Sequence, residues 1–244
     1  MSTIASDAAE VAEERGFGLE ITEFCTALNM DTDFEKWDAQ VRAEISGVER
    51  VAFHAPFNEL CPAAIDPLIV EVAKKRYGQA YALMSGYGID NMIVHSGFVP
   101  TVYYEDWFAA NSVLFWREFL SDKPGGFCVF IENVLEGSPD MLVDIADAVG
   151  DDRFRLCLDI GHAAFMGAGV PVLDWVERMA PFLGHVHLHN NYGNADLHNA
   201  LGDGGVDVAA VIRAVTGAAP DVTFTVESSR VRPSVDWLDA NGFL

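Results

Sequence analysis

Five residues in one short segment, GHVHLHNNYGNADLH at positions 184–198, could bind a metal ion: His185, His187, His189, Asp196 and His198. The segment holds four of the seven histidines of the chain. Imidazole and carboxylate groups are common ligands of divalent cations. The segment is therefore either a histidine-rich surface loop or the end of a strand that carries metal ligands.

The elements that must position these residues alternate along the chain. Seven β-type runs are separated by amphipathic helical stretches: GLEIT (18–22), RVAFH (50–54), NMIVH (91–95), FCVFIE (127–132), RLCLD (155–159), HVHLH (185–189) and VTFTVE (222–227). Strands that alternate with helices indicate a parallel sheet. With a helix at about 6–15 ahead of the first run, the pattern predicts an α/β protein, a (β/α)₈ TIM barrel in one domain that spans residues 1–244.

Too few residues precede the first helix to form a full first strand of an eight-stranded barrel. Only four residues, Ser2 to Ala5, lie between the initial methionine and the first helix. We expect a barrel with a truncated or missing first strand, or a true start codon upstream of this one.

The polar residues of the strands share one phase. Successive side chains of a strand point to opposite faces, and six runs carry an ionisable residue on the same, inner side at their C-terminal ends: His54, His95, Glu132, Asp159, His187 and Glu227. Barrel enzymes place their chemistry at that end. Because several buried acids and histidines destabilise one another without a cation between them, the pattern predicts a metal site.

The loops extend the ligand set. His162 follows Asp159 by three residues, and Asp196 and His198 return over the barrel mouth from the loop after the seventh strand. His185 lies one layer deeper and is expected to support a ligand or to pack in the core, whereas His189 either contacts substrate or belongs to an exposed loop. Cys128 and Cys157 share the inner side but lie one layer below the strand ends, so they are expected to pack in the core. The ligands are then imidazole and carboxylate groups, which suit zinc, with manganese or iron(II) as alternatives.

The ordered set resembles the endonuclease IV branch (AP endonuclease family 2) of the xylose-isomerase-like barrel superfamily, on His54, His95, Glu132, Asp159, His162, His187, Asp196, His198 and Glu227. The stretch DLHNALGDG is also similar to that family's D-x-H…G-[DE]-G pattern. The resemblance implies two or three divalent ions. His54, His95 and Glu132 would hold the first. Glu132 would bridge to a second, which also takes Asp159, His187 and Glu227. His162, Asp196 and His198 would hold the third.

Two enzymatic functions and one non-enzymatic function follow from the resemblance. The first is a metal-dependent phosphoester hydrolase that acts on a small phosphorylated or sugar-like substrate. The second is a sugar or sugar phosphate isomerase/epimerase, which needs only the core of Glu132, Asp159, His187 and Glu227, with Glu132 and Glu227 as the catalytic pair that moves a proton. The third is a metal-stabilised or sugar-binding barrel without catalysis.

The charge of the chain limits its partners. The formal net charge is −22, from 37 acidic and 15 basic residues, whereas nucleic-acid-binding proteins show basic faces. Nucleic acid is therefore not expected as a partner, whereas a small molecule is. Arg230 and Arg232, which follow Glu227 in the loop after the last strand, are candidates for binding a substrate phosphate, since that region binds phosphate in many barrels.

The remaining features bear on location. The four cysteines, Cys25, Cys61, Cys128 and Cys157, form neither a C-x-x-C pair nor a disulfide pattern, which is typical of a reducing compartment. No apolar run is long enough to span a membrane, and the first residues lack the features of a signal peptide. The expected location is the cytoplasm. The sequence gives no information on the oligomeric state.

Overall fold

The computed structural model describes residues 1–244. Seven parallel strands pair in chain order: β1 (Leu19–Ile21), β2 (Val51–His54), β3 (Asn91–His95), β4 (Cys128–Glu132), β5 (Phe154–Asp159), β6 (Leu183–Leu188) and β7 (Thr223–Val226). Each coincides with a run predicted from the sequence. The (β/α)₈ TIM-barrel prediction is confirmed as a nearly closed barrel of seven strands with helices between them.

Ten helices connect the strands or flank them: α1 (Ala8–Arg15), α2 (Leu28–Asp31), α3 (Phe34–Glu44), α4 (Pro67–Gly86), α5 (Glu105–Leu120), α6 (Asp140–Val149), α7 (Ile160–Met166), α8 (Val172–Met179), α9 (Val208–Ala218) and α10 (Arg232–Ala240). Local sequence sets several of their ends. The Asp66 side chain accepts the Leu68 N–H at 2.9 Å and precedes Pro67 at the start of α4, which is a strong helix start. None of the helices combines the length and hydropathy needed to cross a membrane.

The first three residues fill the gap between the outermost strands. The Ser2 N–H donates to the Val226 carbonyl at 3.0 Å, and the Glu20 N–H donates to the Met1 carbonyl at 2.8 Å. The Thr3 N–H returns a bond to the Glu20 carbonyl at 2.9 Å. This single bridge, Ser2 to Glu20, is the truncated first strand that the sequence predicts, and it joins β1 to the end of β7.

The apolar core has two parts, as expected for a barrel. The larger part, 56 buried residues, lies between the sheet and the surrounding helices. The smaller part lies inside the barrel and consists of Ile93, Phe130 and Cys157, with Ala52 and Cys128 packed against it. These five residues are the ones that the strand phase assigns to the interior below the ionisable residues.

Candidate metal centre

All seven histidines of the chain lie at the C-terminal mouth of the barrel or directly beneath it, together with five acidic residues. They form overlapping groups whose ligand atoms lie within 4.8 Å of one another: His54, His95 and Glu132; Glu132, Asp159, His187 and Glu227; His162, His189, Asp196 and His198; Glu20, His185 and His187; Glu20, His54 and Glu227. The nine predicted ligands are therefore brought together at the ends of β2 to β7, in the first turn of α7 directly after β5, and in the loop that follows β6. His162 thus lies in a helix and not in the loop that the sequence predicts.

The first group joins the ends of β2, β3 and β4. His54 Nε2 lies 3.3 Å and His95 Nε2 lies 3.5 Å from Glu132 Oε2. His54 Nδ1 donates to the Ala55 carbonyl at 2.9 Å, which leaves Nε2 to face the carboxylate. Burial lowers the pKa of His95 to about 3, so its imidazole is neutral, the form that binds metals.

The second group surrounds one nitrogen atom. His187 Nδ1 lies 3.2 Å from Glu227 Oε2, 3.5 Å from Glu132 Oε1 and 3.7 Å from Asp159 Oδ2. It is buried and has no hydrogen-bond partner. Three carboxylates around an unpartnered imidazole nitrogen form a set that a divalent cation would satisfy.

Glu132 connects the first two groups. Its Oε2 faces His54 and His95, whereas its Oε1 faces His187 and also lies 3.3 Å from His162 Nδ1. Burial works against the charged form of Glu132, but the neighbouring histidines hold its pKa well below the ordinary value. A charged carboxylate with one oxygen in each group is arranged as a bridging ligand.

The third group lies at the outer edge of the mouth. The Asp196 Oδ2 atom lies 3.3 Å from His162 Nε2 and 3.1 Å from His198 Nε2. The other ring nitrogens are fixed by backbone carbonyls, His162 Nδ1 by Asn133 at 3.0 Å and His198 Nδ1 by Glu227 at 2.7 Å. Such contacts set the tautomer so that both Nε2 atoms point at one place.

His189 is fully buried and does not belong to an exposed loop. Its Nε2 lies 2.9 Å and 3.0 Å from the two Asp159 oxygens, and its ring stacks on His198 with centroids 4.0 Å apart. Of the two sequence-based alternatives, the exposed loop is wrong. A direct contact between His189 and substrate stays a prediction, and the ring is close enough to the third group to be a further ligand.

The donor set fits zinc without requiring it. No cysteine is part of any ligand group, and all the donors are imidazole nitrogens or carboxylate oxygens. Such donors bind zinc, manganese and iron(II). The unpartnered His187 nitrogen and the buried carboxylates around it are the observations that favour a bound cation.

Glu20 of β1 is the buried carboxylate that the sequence reasoning did not identify. It is completely buried, and its oxygens lie 3.1 Å from His185 Nε2 and 3.1 Å from His187 Nε2. The alternation of residues along β1 could have identified it, because Glu20 lies between the apolar Leu19 and Ile21 and therefore faces the barrel interior. His185 lies one layer below His187, where the strand phase places it.

The two arginines after Glu227 are directed elsewhere. The guanidinium of Arg232 donates to Glu14 at 2.9 Å and to Glu10 at 3.0 Å, both on α1. Arg230 is 67% exposed, with its Nε 3.6 Å from Asp7. A role for either arginine in binding phosphate stays a prediction.

A cleft of about 310 Å³ opens beside the first ligand group. It is lined mainly by apolar side chains, among them Phe57, Leu60, Phe98 and Leu135, and it reaches His95. Phe57 stacks on the His95 ring with centroids 4.1 Å apart. The cleft can hold the uncharged part of a small molecule whose polar part reaches the ligand groups.

The family follows from a match over nearly the whole chain. The family model described as xylose isomerase-like TIM barrel matches residues 7–241. The chain belongs to this family. The sequence-based assignment of the chain to this superfamily is therefore confirmed. The division of the nine predicted ligands among two or three ions stays a prediction.

One curated relative and two solved structures illustrate the similarity. The chain is 25% identical over 198 residues to an uncharacterised protein, MJ1311, of Methanocaldococcus jannaschii; the match covers 76% of this chain and 66% of the relative, slightly under two thirds of its length. A D-tagatose 3-epimerase-like protein superposes with a TM-score of 0.80 at 20% identity, covering 99% of this chain and 95% of the other. The TTHB071 protein of Thermus thermophilus, soaked with ZnCl2, superposes with a TM-score of 0.74 at 20% identity, again covering 99% of this chain and 95% of the other. At these identities the structures establish the fold alone.

The stability of the metal-free protein is expected to fall between about pH 6.5 and pH 9. Burial lowers the pKa of His198, but the Asp196 hydrogen bond more than offsets this and raises that pKa to about 9. A histidine whose folded pKa exceeds its unfolded value near 6.5 stabilises the fold at low pH and stops doing so as pH rises through the folded pKa. Zinc needs neutral imidazole, so its stabilising effect should grow over the same range.

Thermal unfolding midpoints against pH, with chelator and with zinc, check this expectation. The two curves should diverge as the pH rises from 6.5 to 9. Parallel curves across that range would show that the histidines of the third group do not couple folding to metal binding. The His198→Asn variant serves as the control, because removing its titration should make the chelator curve flatter.

Proposed function

We propose that the chain is a metal-dependent hydrolase of phosphoesters, acting on a small phosphorylated or sugar-like substrate. The observation that carries the proposal is the division of the Glu132 oxygens between two ligand groups, one oxygen facing His54 and His95 and the other facing His187. A bridging carboxylate holds two cations close together, which is the arrangement that phosphoester hydrolysis uses.

Divalent ions bound here would supply an activated water and would neutralise the charge that builds on phosphoryl oxygens. The residues of the chain do the rest. Asp159, fixed by His189, and Glu227 hold fixed positions around His187. Asp196 and His198 lie at the outer edge of the mouth, where with His162 they would hold a third cation. The apolar cleft beside His95 would hold the uncharged part of the substrate.

The negative charge of the site supports the proposal that a small phosphorylated substrate binds only when cations are present. The ligand groups contain five carboxylates, Glu20, Glu132, Asp159, Asp196 and Glu227. No lysine or arginine is part of those groups or of the cleft lining. A phosphate would be repelled from the metal-free site, so we expect no phosphate binding after chelation. The net charge of −22 likewise disfavours a long polyanion such as DNA.

Sugar isomerisation or epimerisation is the second candidate, and one observation favours it. The group of Glu132, Asp159, His187 and Glu227 is complete by itself, and the D-tagatose 3-epimerase-like structure shares the fold. In that reaction two carboxylates move a proton on opposite faces of a metal-held substrate. Glu132 has both oxygens turned to histidines, which leaves it less free for that role and places this candidate second.

The Asp196→Ala variant separates the two candidates. For hydrolysis with three ions, we expect the variant to lose one of three zinc ions and to lose about 100-fold or more in phosphoester turnover, as when one group that stabilises transition-state charge is removed. For isomerisation on the four-ligand core, ketose–aldose or epimer interconversion should persist in the variant at nearly the wild-type rate. Zinc content by elemental analysis and both activities on panels of sugar phosphates and free sugars are the measurements.

The matched control is Asp203→Asn, which lies in the same loop but contacts Tyr192 rather than a ligand group. It should keep three zinc ions and full turnover. Full metal content and full turnover in Asp196→Ala would contradict the third ion. A zinc-loaded wild-type protein with no turnover on either panel would instead support a non-catalytic, metal-stabilised barrel.

A further inference from the structure

Glu20 has no place in the three ligand groups assigned above, yet it is one of the most buried carboxylates in the chain, with no exposed surface. It lies on β1 beneath the barrel mouth and faces two histidines of β6. Its Oε2 lies 3.1 Å from His185 Nε2 and accepts a hydrogen bond from His187 Nε2 at 3.3 Å. Its Oε1 lies 3.1 Å from His187 Nε2 but accepts no hydrogen bond. A fully buried charge is retained in a fold only where specific partners compensate it.

The His187 ring has opposite surroundings on its two nitrogens. Nε2 points down to Glu20, whereas Nδ1 points up into the carboxylates of Glu132, Asp159 and Glu227 with no hydrogen-bond partner. When one ring nitrogen donates its proton to a carboxylate, the other presents a lone pair, and the donating bond decides which nitrogen can bind a metal. The geometry therefore couples Glu20 to the nitrogen at the centre of the second group.

We propose that Glu20 is a positioning residue, which holds His187 in the Nε2–H tautomer so that Nδ1 serves as the metal ligand. The neighbours keep Glu20 in place for this task. His185 is fixed by Thr223, whose Oγ1 lies 2.6 Å from Nδ1, and by Thr225, whose Oγ1 lies 3.1 Å from Nε2. The His185 ring also stacks on Phe130, with centroids 5.8 Å apart, so the ring forms a rigid wall against the Glu20 carboxylate.

Another side chain beside His187 does not replace Glu20. Cys157 is completely buried, and a thiol sulfur is only a weak hydrogen-bond acceptor, so it does not hold the imidazole N–H as a carboxylate does. Without Glu20, the His187 ring is free to place a proton on Nδ1, against the carboxylates and in the path of a cation. Loss of such an outer partner of a ligating histidine costs about 10- to 100-fold in metal affinity.

Two substitutions separate the hydrogen bond from the charge. Glu20→Met keeps an unbranched side chain of similar length and removes the acceptor, so we expect the zinc dissociation constant of one ion to rise about 10- to 100-fold. Glu20→Gln keeps one acceptor oxygen for the Nε2–H and should recover most of that loss. Ile93→Val, which removes one methyl group inside the barrel at a residue that belongs to no ligand group, is the matched control and should leave zinc affinity unchanged.

Chelator competition measures the zinc affinity on folded protein, and long-range ¹H–¹⁵N NMR reads the His187 tautomer in the wild type. We expect Nε2–H with zinc on Nδ1. A merely structural role would lower the unfolding midpoint of Glu20→Met and leave its zinc affinity unchanged, which would overturn the proposal. Zinc on Nε2, or loss of a whole ion from a site formed by Glu20 and His185, would overturn it as well.

If the Glu20→Met protein does not fold, the His187 tautomer measured in the wild-type protein is sufficient to test the proposal. The proposal rests on the metal ligands of the proposed function but not on its reaction. The zinc affinity and the His187 tautomer can therefore confirm the positioning role of Glu20 even if no phosphoester is hydrolysed. An active hydrolase in which His187 carries its proton on Nδ1 would refute the role of Glu20 and leave the proposed function standing.

Discussion

Replacing Glu132 with glutamine is expected to remove two of three zinc ions and to reduce turnover by about 1000-fold, near the upper range for loss of one group that stabilises transition-state charge. Glu132 is the one residue shared by the first two ligand groups, and its two oxygens lie 3.3 Å from His54 Nε2 and 3.5 Å from His187 Nδ1. A neutral amide offers one oxygen and no charge, so it cannot bridge two cations. Elemental analysis and steady-state rates on the substrate found in the panels are the measurements.

Glu136→Gln is the matched control for this prediction. Glu136 is also a buried glutamate and lies in the connection that follows β4, but its carboxylate accepts hydrogen bonds from the Ser96 hydroxyl and from the Val134 and Leu135 amides. The control should keep three ions. If Glu132→Gln also kept three ions, the carboxylate would not be a bridge, and the two groups would not share a ligand.

Replacing Gly161 with alanine is expected to destabilise the fold by about 1–3 kcal/mol, the usual cost of overpacking a buried site, and to weaken binding of the third ion. A Cβ at this position would lie 2.0 Å from Cε1 and 2.4 Å from Nδ1 of His189. Because the His189 ring is buried, stacked on His198 and bonded to Asp159, it can yield only by leaving Asp159. Urea unfolding and zinc titration measure the two effects.

Two comparisons make this prediction specific. Gly78→Ala, in α4 with no atom within 4 Å of the added Cβ, should stabilise the protein by about 0.5–1 kcal/mol. In a His189→Ala background, Gly161→Ala should lose most of its cost, because the two sites couple only through the ring. A Gly161→Ala protein as stable as the wild type, with its third ion intact, would mean that the His189 ring is not fixed in this position.

The strand phase predicts most of the site because a parallel barrel has little freedom. Once His54 is assigned to the interior, the period of two along each strand places His95, Glu132 and Asp159 at the same mouth. The interior layer below them, with Phe130 and Cys157, has the composition that the same phase requires. The fold and the positions of these strand-end side chains therefore followed from residue types and spacing, whereas their role as metal ligands stays a prediction.

The geometry of the loops and the contacts between strands that are distant in the chain could not be predicted from the sequence. The burial of His189 depends on the lack of a side chain at Gly161, which lies in α7. The direction of Arg232 toward α1 depends on how the two ends of the chain pack. Glu20 lies outside the set of strand-end residues that the phase argument selects, although Glu20 and His187 are in contact from opposite parts of the chain.

Diffraction from zinc-loaded crystals, with data collected on both sides of the zinc absorption edge, tests the account most directly. The account predicts three anomalous peaks at the barrel mouth, two of them joined by the Glu132 carboxylate and the third beside Asp196. A single peak within the group of Glu132, Asp159, His187 and Glu227, or peaks only at surface carboxylates, would contradict it.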